Sequence, residues 1–224
     1  LQVIVTSLSG HNVDDCVLRS SKRLHSTLMT LDIPDAPTFF RLSCGSWRSQ
    51  RSVHHLLHRR AEAGGSLIVV DDLEIDDPRL LEMARQHGQN PDRIIGGSHV
   101  RWSASMAWDR DGDAHDGETC FALIGDSASA RSGTMLRDQG YAEKSPATST
   151  FSMDDRDGLI LCTSYEMMTV WERFSFSGVD VRIRSSTVEG LSNNASFCVE
   201  TRLKEDGSSG GTAPSTAVHS PFGW

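Results

Sequence analysis

Positive charge is in short supply in this chain: 22 Lys and Arg stand against 30 Asp and Glu among 224 residues, a formal net charge of −8. That deficit argues against a nucleic-acid groove and against a polybasic patch for an anionic membrane, since both need clustered cations. Long apolar runs are also missing, so no segment approaches the length of a transmembrane helix. Cysteine is sparse: Cys16, Cys44, Cys120, Cys162 and Cys198 are odd in number, widely scattered and without a Cys-x-x-Cys pair. No disulfide framework fits that spacing; reduced, mostly inert thiols in a reducing compartment do. A phosphate loop, a dinucleotide fingerprint and a serine-nucleophile elbow are all absent. Asp109-Arg110-Asp111-Gly112-Asp113 begins like a calcium loop, but Ala114 stands where the turn needs Gly and Cys120 where a bidentate Glu belongs.

What the chain does contain is a succession of short alternating segments. Asp35 caps a short apolar helix that begins near Pro37 and carries Phe39, Phe40 and Leu42. Residues 47–60 alternate as a strand, Glu62-Ala63-Gly64-Gly65-Ser66 reads as a hairpin turn, and 67–75 as the return strand. Asp77-Pro78 opens a second helix that Gly88 stops. Further strands are expected near 98–109, 118–124, 147–153, 159–169, 170–177, 179–188 and 194–203, with turns at Asp111-Gly112, Asp157-Gly158 and Ser177-Gly178. Short strands, regular turns and no βαβ alternation predict a mainly β protein, a meandering antiparallel barrel or sandwich with one or two short helices. A small closed barrel is a natural container for one ligand.

The stretch Val179–Val188 puts Arg182, Arg184 and Ser186 on one strand face and Val181 and Ile183 on the other. Guanidiniums one strand repeat apart, about 7 Å, suit two carboxylates, each gripped by a bidentate fork. Read alone, a solvated strand face with two harmless arginines is the simpler reading. A three-residue connection, Gly178 to Asp180, would set Phe176 opposite Arg182 and Glu172 opposite Ser186, so that Glu172 shares a face with both arginines. A four-residue loop would send Glu172 to the other side, and a plain cross-strand salt bridge is the simpler reading of the cluster. Trp102, Ala104, Met106 and Trp108 share another face, a stacking wall for a flat conjugated ligand or an ordinary piece of core. His54 and His58 lie about 13 Å apart along a strand, too far for one ion, so no metal site is expected. One of His54 and His55 should point inward as a ligand or proton donor.

These residues resemble, in order, the motifs of one family. Phe39-Phe40-x-Leu42-x-x-Gly45-x-Trp47-x-Ser49-Gln50-Arg51-x-x-His54-His55-Leu56, Asp76-Asp77-Pro78 and Gly96-Gly97-x-x-Val100-x-Trp102-x-x-x-Met106-x-Trp108-Asp109 are similar to the S-type phycobiliprotein lyases, the CpcS/CpeS family. So are Leu136-Arg137-Asp138-x-Gly140-Tyr141-Ala142-Glu143-Lys144, Tyr165-Glu166, Glu172-Arg173, Arg182-x-Arg184-x-Ser186 and Ala195-Ser196-Phe197-Cys198-x-Glu200, the whole covering residues 37–203. The resemblance implies a lipocalin-like, ten-stranded antiparallel barrel related to fatty-acid-binding proteins. It implies an open-chain bilin, phycoerythrobilin or phycocyanobilin, attached by a thioether bond to a cysteine of an apo-phycobiliprotein. Carried over, Arg182 and Arg184 bind propionates, and Glu172, with Glu200 as second candidate, meets the pyrrole nitrogens. Ser186 belongs to the same strand motif. Trp102, Met106 and Trp108 wall the pocket, and His54 or His55 seats or protonates the bilin.

Outside the matched block the chain begins at Leu1, and residues 1–34 carry Arg19, Lys22, Arg23 and His25 with many Ser and Thr, against the acidic pair Asp14 and Asp15. This reads as the remainder of a targeting extension, hence an expected plastid location (the chloroplast stroma, or peripheral to the thylakoid) in a red-lineage alga, or the cytoplasm if the protein is cyanobacterial. Residues 35–203 are expected to form the barrel, and the Gly-, Ser-, Thr- and Pro-rich tail 204–224 to be disordered in isolation. The two ends also motivate a second reading, a non-catalytic barrel docked as a structural subunit on a photosystem or antenna complex. A carrier of some other lipid-like acid would use the same arginines.

Overall fold

The computed structural model describes residues 31–106, 115–138, 147–190 and 193–204. Ten antiparallel strands close into a barrel: β1 (Gly45–His55), β2 (Arg60–Leu73), β3 (Ile94–Met106), β4 (Gly117–Ile124), β5 (Ser132–Arg137), β6 (Ala147–Met153), β7 (Leu159–Ser164), β8 (Met168–Phe176), β9 (Val181–Gly190) and β10 (Asn194–Arg202). Each pairs with its sequence neighbour, and β1 pairs with β10 to complete the ring. Full closure leaves no unpaired edge. No helix among the described residues is long and apolar enough to cross a membrane. Expected turns at Asp111-Gly112, and the segments 1–30 and 205–224, lie outside the described residues.

Helix α1 (Ala36–Ser43) forms where the sequence supplies a cap and a proline: the Asp35 carboxylate accepts from Thr38 N at 2.8 Å, and Pro37 sits in the first turn. Phe39 is buried against Leu123, Met135, Phe151, Leu159 and Leu161, so the helix plugs one end of the barrel. Leu31 and Ile33 pack into the same cluster. The last carbonyls of α1 receive Arg202: its Nη1 donates to Cys44 O at 2.5 Å and its Nη2 to Leu42 O at 2.6 Å.

Helix α2 (Pro78–Gln86) lies on the outside of the barrel. Its Leu80, Met83 and Ala84 cover Cys120, Ala122, Ile124 and Leu136, the outward residues of β4 and β5. Gly97 of β3 permits this approach, because a Cβ there would stand 2.4 Å from Leu80 Cδ1.

Two sequence expectations change. The first hairpin turns at residues 56–59, where Arg59 takes φ +50°, while Gly64 and Gly65 lie inside β2 opposite Arg51 and Gln50. A non-glycine residue made the left-handed turn, and Gly65 instead forms part of the cavity wall. Strand β5 has no counterpart among the expected strands. Its Gly133 looks like a breaker, yet it is required: a Cβ there would meet Ile124 O at 2.3 Å and the Phe151 ring at 2.8 Å. Strand β3 starts earlier than expected and β7 ends earlier.

Candidate functional site

Inward-facing residues of the barrel enclose a cavity of about 750 Å³, within the range that buries a drug-sized ligand. Phe39, Phe40 and Ser43 of α1 form one end of it, and the exposed His115 and Asp116 lie at the other. The walls are largely apolar, with Ile68, Val70, Val100, Trp102, Phe121, Leu161 and Phe174 among them.

The polar content is concentrated and buried. The β8–β9 connection is the three-residue one: Ser177 N donates to Val181 O at 2.8 Å, Phe176 pairs with Arg182 and Glu172 with Ser186. Alternation then sends Glu172, Arg182 and Arg184 inward, and all three line the cavity. On β10 Glu200 stands opposite Arg182, and its Oε2 accepts from Arg182 Nε at 2.5 Å. Arg184 Nε lies 4.0 Å from Glu200 Oε1 and its Nη2 3.5 Å from Cys198 Sγ. Glu200 is fully buried and Arg182 nearly so. The Arg182 guanidinium lies 4.8 Å from the Trp47 ring centroid and 5.9 Å from that of Phe174. Burial drives its pKa below the ordinary value, against the opposing pull of Glu200. The two arginines are thus one rigid, cation-rich wall braced by one carboxylate and two aromatic faces.

A second ion pair crosses the lumen. Arg137, at the end of β5, donates through Nη2 to Glu172 Oε2 at 3.5 Å, past the intervening β6 and β7. Three cavity-lining residues carry a buried polar atom with no hydrogen-bond partner among the described residues: Ser98 Oγ, Arg137 Nε and Glu200 Oε1. Buried polar atoms are normally satisfied, so such a cluster around one cavity is what a polar ligand would complete.

Among the residues singled out from sequence, Glu172, Arg182, Arg184, Glu200 and Trp102 line the cavity together. Ser186 shares an Oγ–Oγ hydrogen bond of 2.6 Å with Ser196 and stands next along the arginine face. His54 is exposed on the outer face of β1, away from the cavity. His55 alternates with it, and its Nε2 lies 2.9 Å from Glu62 Oε2. Met106 ends β3 and Trp108 lies outside the described residues. Sequence reading passed over Arg51, Ser98 and Arg137 as site residues. Arg51 shares its strand parity with Ser49 and Val53, and which parity faces inward is decided by barrel closure; Arg137 was not legible either, because its strand went unrecognised.

A closed barrel with a buried, acid-braced pair of arginines on one wall defines a carrier or transferase-type protein for a single elongated, carboxylate-bearing ligand. Comparison with known proteins makes this specific. Residues 35–203 match the family described as CpeS-like protein, and the chain belongs to that family. It is 54% identical over 198 residues to "Chromophore lyase CpcS/CpeS 2" of Paulinella chromatophora, covering 88% of this chain and 100% of that one. It is 46% identical over 186 residues to "Phycocyanobilin lyase subunit CpcS" of Picosynechococcus sp., covering 82% and 90%. Among solved structures it superposes on the S-type phycobiliprotein lyase CPES from Guillardia theta with a TM-score of 0.65 at 28% identity, covering 74% of this chain and 91% of that one.

Proposed function

We propose that this protein binds an open-chain bilin in the barrel and attaches it by a thioether bond to a cysteine of an apo-phycobiliprotein subunit. The observation that carries the reading is the Arg182–Arg184 wall, spaced for two propionates and braced by Glu200 inside a cavity of about 750 Å³. The relatives named above carry the reaction class. The bilin is phycoerythrobilin or phycocyanobilin, both of which present two propionates on one edge of a flexible chromophore.

Chemically the step is an addition. The acceptor thiolate forms a C–S bond at the ethylidene carbon, the exocyclic double bond becomes single, and the proton lost by the thiol is made up on the adjacent ring carbon. Nothing leaves and nothing is oxidised. The nucleophile belongs to the acceptor. This chain's thiols fit that division: burial, then the nearby Asp72 and Asp71, push Cys44 up to about 11, and burial, then Asp138, pushes Cys120 up. The barrel binds the propionates, presents Glu172 to the pyrrole N–H groups, and excludes water and wrong thiols. Glu172 beside the pyrroles favours a protonated, more electrophilic bilin.

A plastid location belongs to this proposal and rests on the composition of residues 1–34. The structural-subunit reading draws on residues 1–34 and 204–224 alone, and no feature of the barrel or of the relatives' names favours it. Titration of the purified protein with each bilin, followed by absorbance and fluorescence, tests the proposal. A saturable red-shifted complex that hands its pigment to an apo-phycobiliprotein is expected. Replacing Arg182 and Arg184 together with Ala should abolish it, and unchanged binding by that variant would sink the propionate assignment.

A further inference from the structure

We propose that Arg137 is a third ligand-anchoring guanidinium of the pocket, addressed to a terminal lactam oxygen of the bilin and holding Glu172 in place beside it. The inference rests on the bilin reading above and extends it to the opposite wall. Two Arg–Glu pairs face the cavity, and they differ in kind. Arg182 and Glu200 meet at 2.5 Å, whereas Arg137 and Glu172 meet at 3.5 Å, the outer limit of a hydrogen bond. Arg137 is 7% exposed and Glu172 8%, so neither charge has recourse to bulk water. A buried guanidinium is costly unless its donors are used, yet Arg137 Nε has no hydrogen-bond partner among the described residues. The Phe121 ring, 5.0 Å from the guanidinium carbon, supports the group from one side. The donor set is therefore present, buried and incompletely used by the described residues.

The position selects the ligand atom. In the ring of ten strands β5 is four places from β9, so Arg137 addresses a different part of the ligand from Arg182 and Arg184. A bilin carries oxygen in only two kinds of place: the two propionates of its middle rings and the lactam carbonyls of its end rings. With the propionates on β9, the acceptor left for Arg137 is a lactam carbonyl. A guanidinium offers two edges, so it can donate to that oxygen and still hold Glu172. Glu172 is then fixed toward the pyrrole N–H groups.

The test compares the full chain with Arg137→Gln and Arg137→Lys by bilin titration, with circular dichroism to report the fold. The variants should lose affinity about tenfold or more, as removal of a charged hydrogen bond does. The absorption band of the bound pigment should also move, because the lactam and the pyrrole N–H groups lose their fixed partners. Band position is a readout that a purely structural arginine would leave alone. If Arg137→Gln does not fold, Arg137→Lys decides, since it keeps the charge beside Glu172 and removes the planar fork. A folded variant with the parent's affinity and the parent's band overturns the inference while leaving the bilin reading intact. Failure of the parent protein to bind either bilin fails that reading first and removes this one with it.

Discussion

Glu200 is a carboxylate with no exposed surface, and its charge is tolerable only because Arg182 and Arg184 stand beside it. Arg182→Met removes the tighter partner and strands the charge. A loss of about 3–5 kcal/mol is expected from breaking a buried pair on one side, read as a shift of the urea midpoint. Replacing both Arg182 and Glu200 with apolar residues of similar volume should recover much of that stability while leaving the bilin unbound. A single variant as unstable as the double would count against this account of the pair. At this scale the sequence was informative wherever strand parity could be applied. Alternation alone puts Arg182 and Arg184 on one face; Glu172 joins them only with the three-residue loop that the structure shows, and all three line one cavity. The Arg182–Glu200 pairing was not legible, since it depends on the register between β9 and β10, which no turn motif in the sequence sets. Nor was the inward side of β1: alternation offered either His54 or His55, and only the ring closure decides which parity faces the lumen.

Among the elements, the turn between β6 and β7 is held by a single side chain. Asp154 Oδ1 accepts from Arg156 N and Gly158 N, both at 2.8 Å, and its Oδ2 from Arg173 Nε at 2.7 Å. Partial burial pushes the Asp154 carboxyl up, but the bonds from Arg173, Gly158 and Arg156 outweigh it and hold the pKa below its usual 3.8. A carboxyl lowered on folding stabilises the native state fully above its unfolded pKa, and the contribution is lost as pH falls through the folded value. Asp154→Asn should therefore lower the melting temperature at neutral pH, cost about 1–2 kcal/mol, and narrow its gap to the parent protein below about pH 4. Parallel melting curves from pH 2 to 7 would show it; a constant gap would not fit. The helix cap is simpler. Asp35→Ala should cost about 1 kcal/mol by removing the bond to Thr38 N. Element reading from sequence succeeded where turn chemistry was explicit, as at Asp35, Asp77-Pro78 and the Gly178 turn. It failed where glycine sits inside a strand, in β2 and, for close packing, at Gly133 of β5, because such a glycine and one that makes a turn look alike in a linear pattern.

For the molecule as a whole, closure joins the first strand to the last. Nine residue pairs link β1 to β10, from Trp47↔Arg202 to His55↔Asn194. Trp47, fully buried, lies between Arg202, 4.2 Å from its ring centroid, and Arg182, at 4.8 Å. Arg202 in turn ties the end of α1 to β10. Deleting residues 194–204 should leave a chain that neither melts cooperatively nor protects its β1 amides from exchange, which hydrogen–deuterium exchange would report; native-like protection in the truncated protein would contradict the seam's importance. The rhythm of short strands and turns left barrel and sandwich both open, because pairing across roughly 140–155 positions of sequence leaves no local trace; the resemblance to the CpcS/CpeS family supplied the closed barrel that the structure shows.

That seam also sets a schedule. Strand β1 leaves the ribosome early and must wait, with one side unpaired, until β10 has been made nearly 150 residues later. At about 5–20 residues per second the wait is on the order of ten seconds. Throughout it the chain is an open sheet with two sticky borders and an unfinished lumen. A chain stalled before Arg202 therefore keeps two unpaired strand borders, which favour self-association rather than a weak version of the fold.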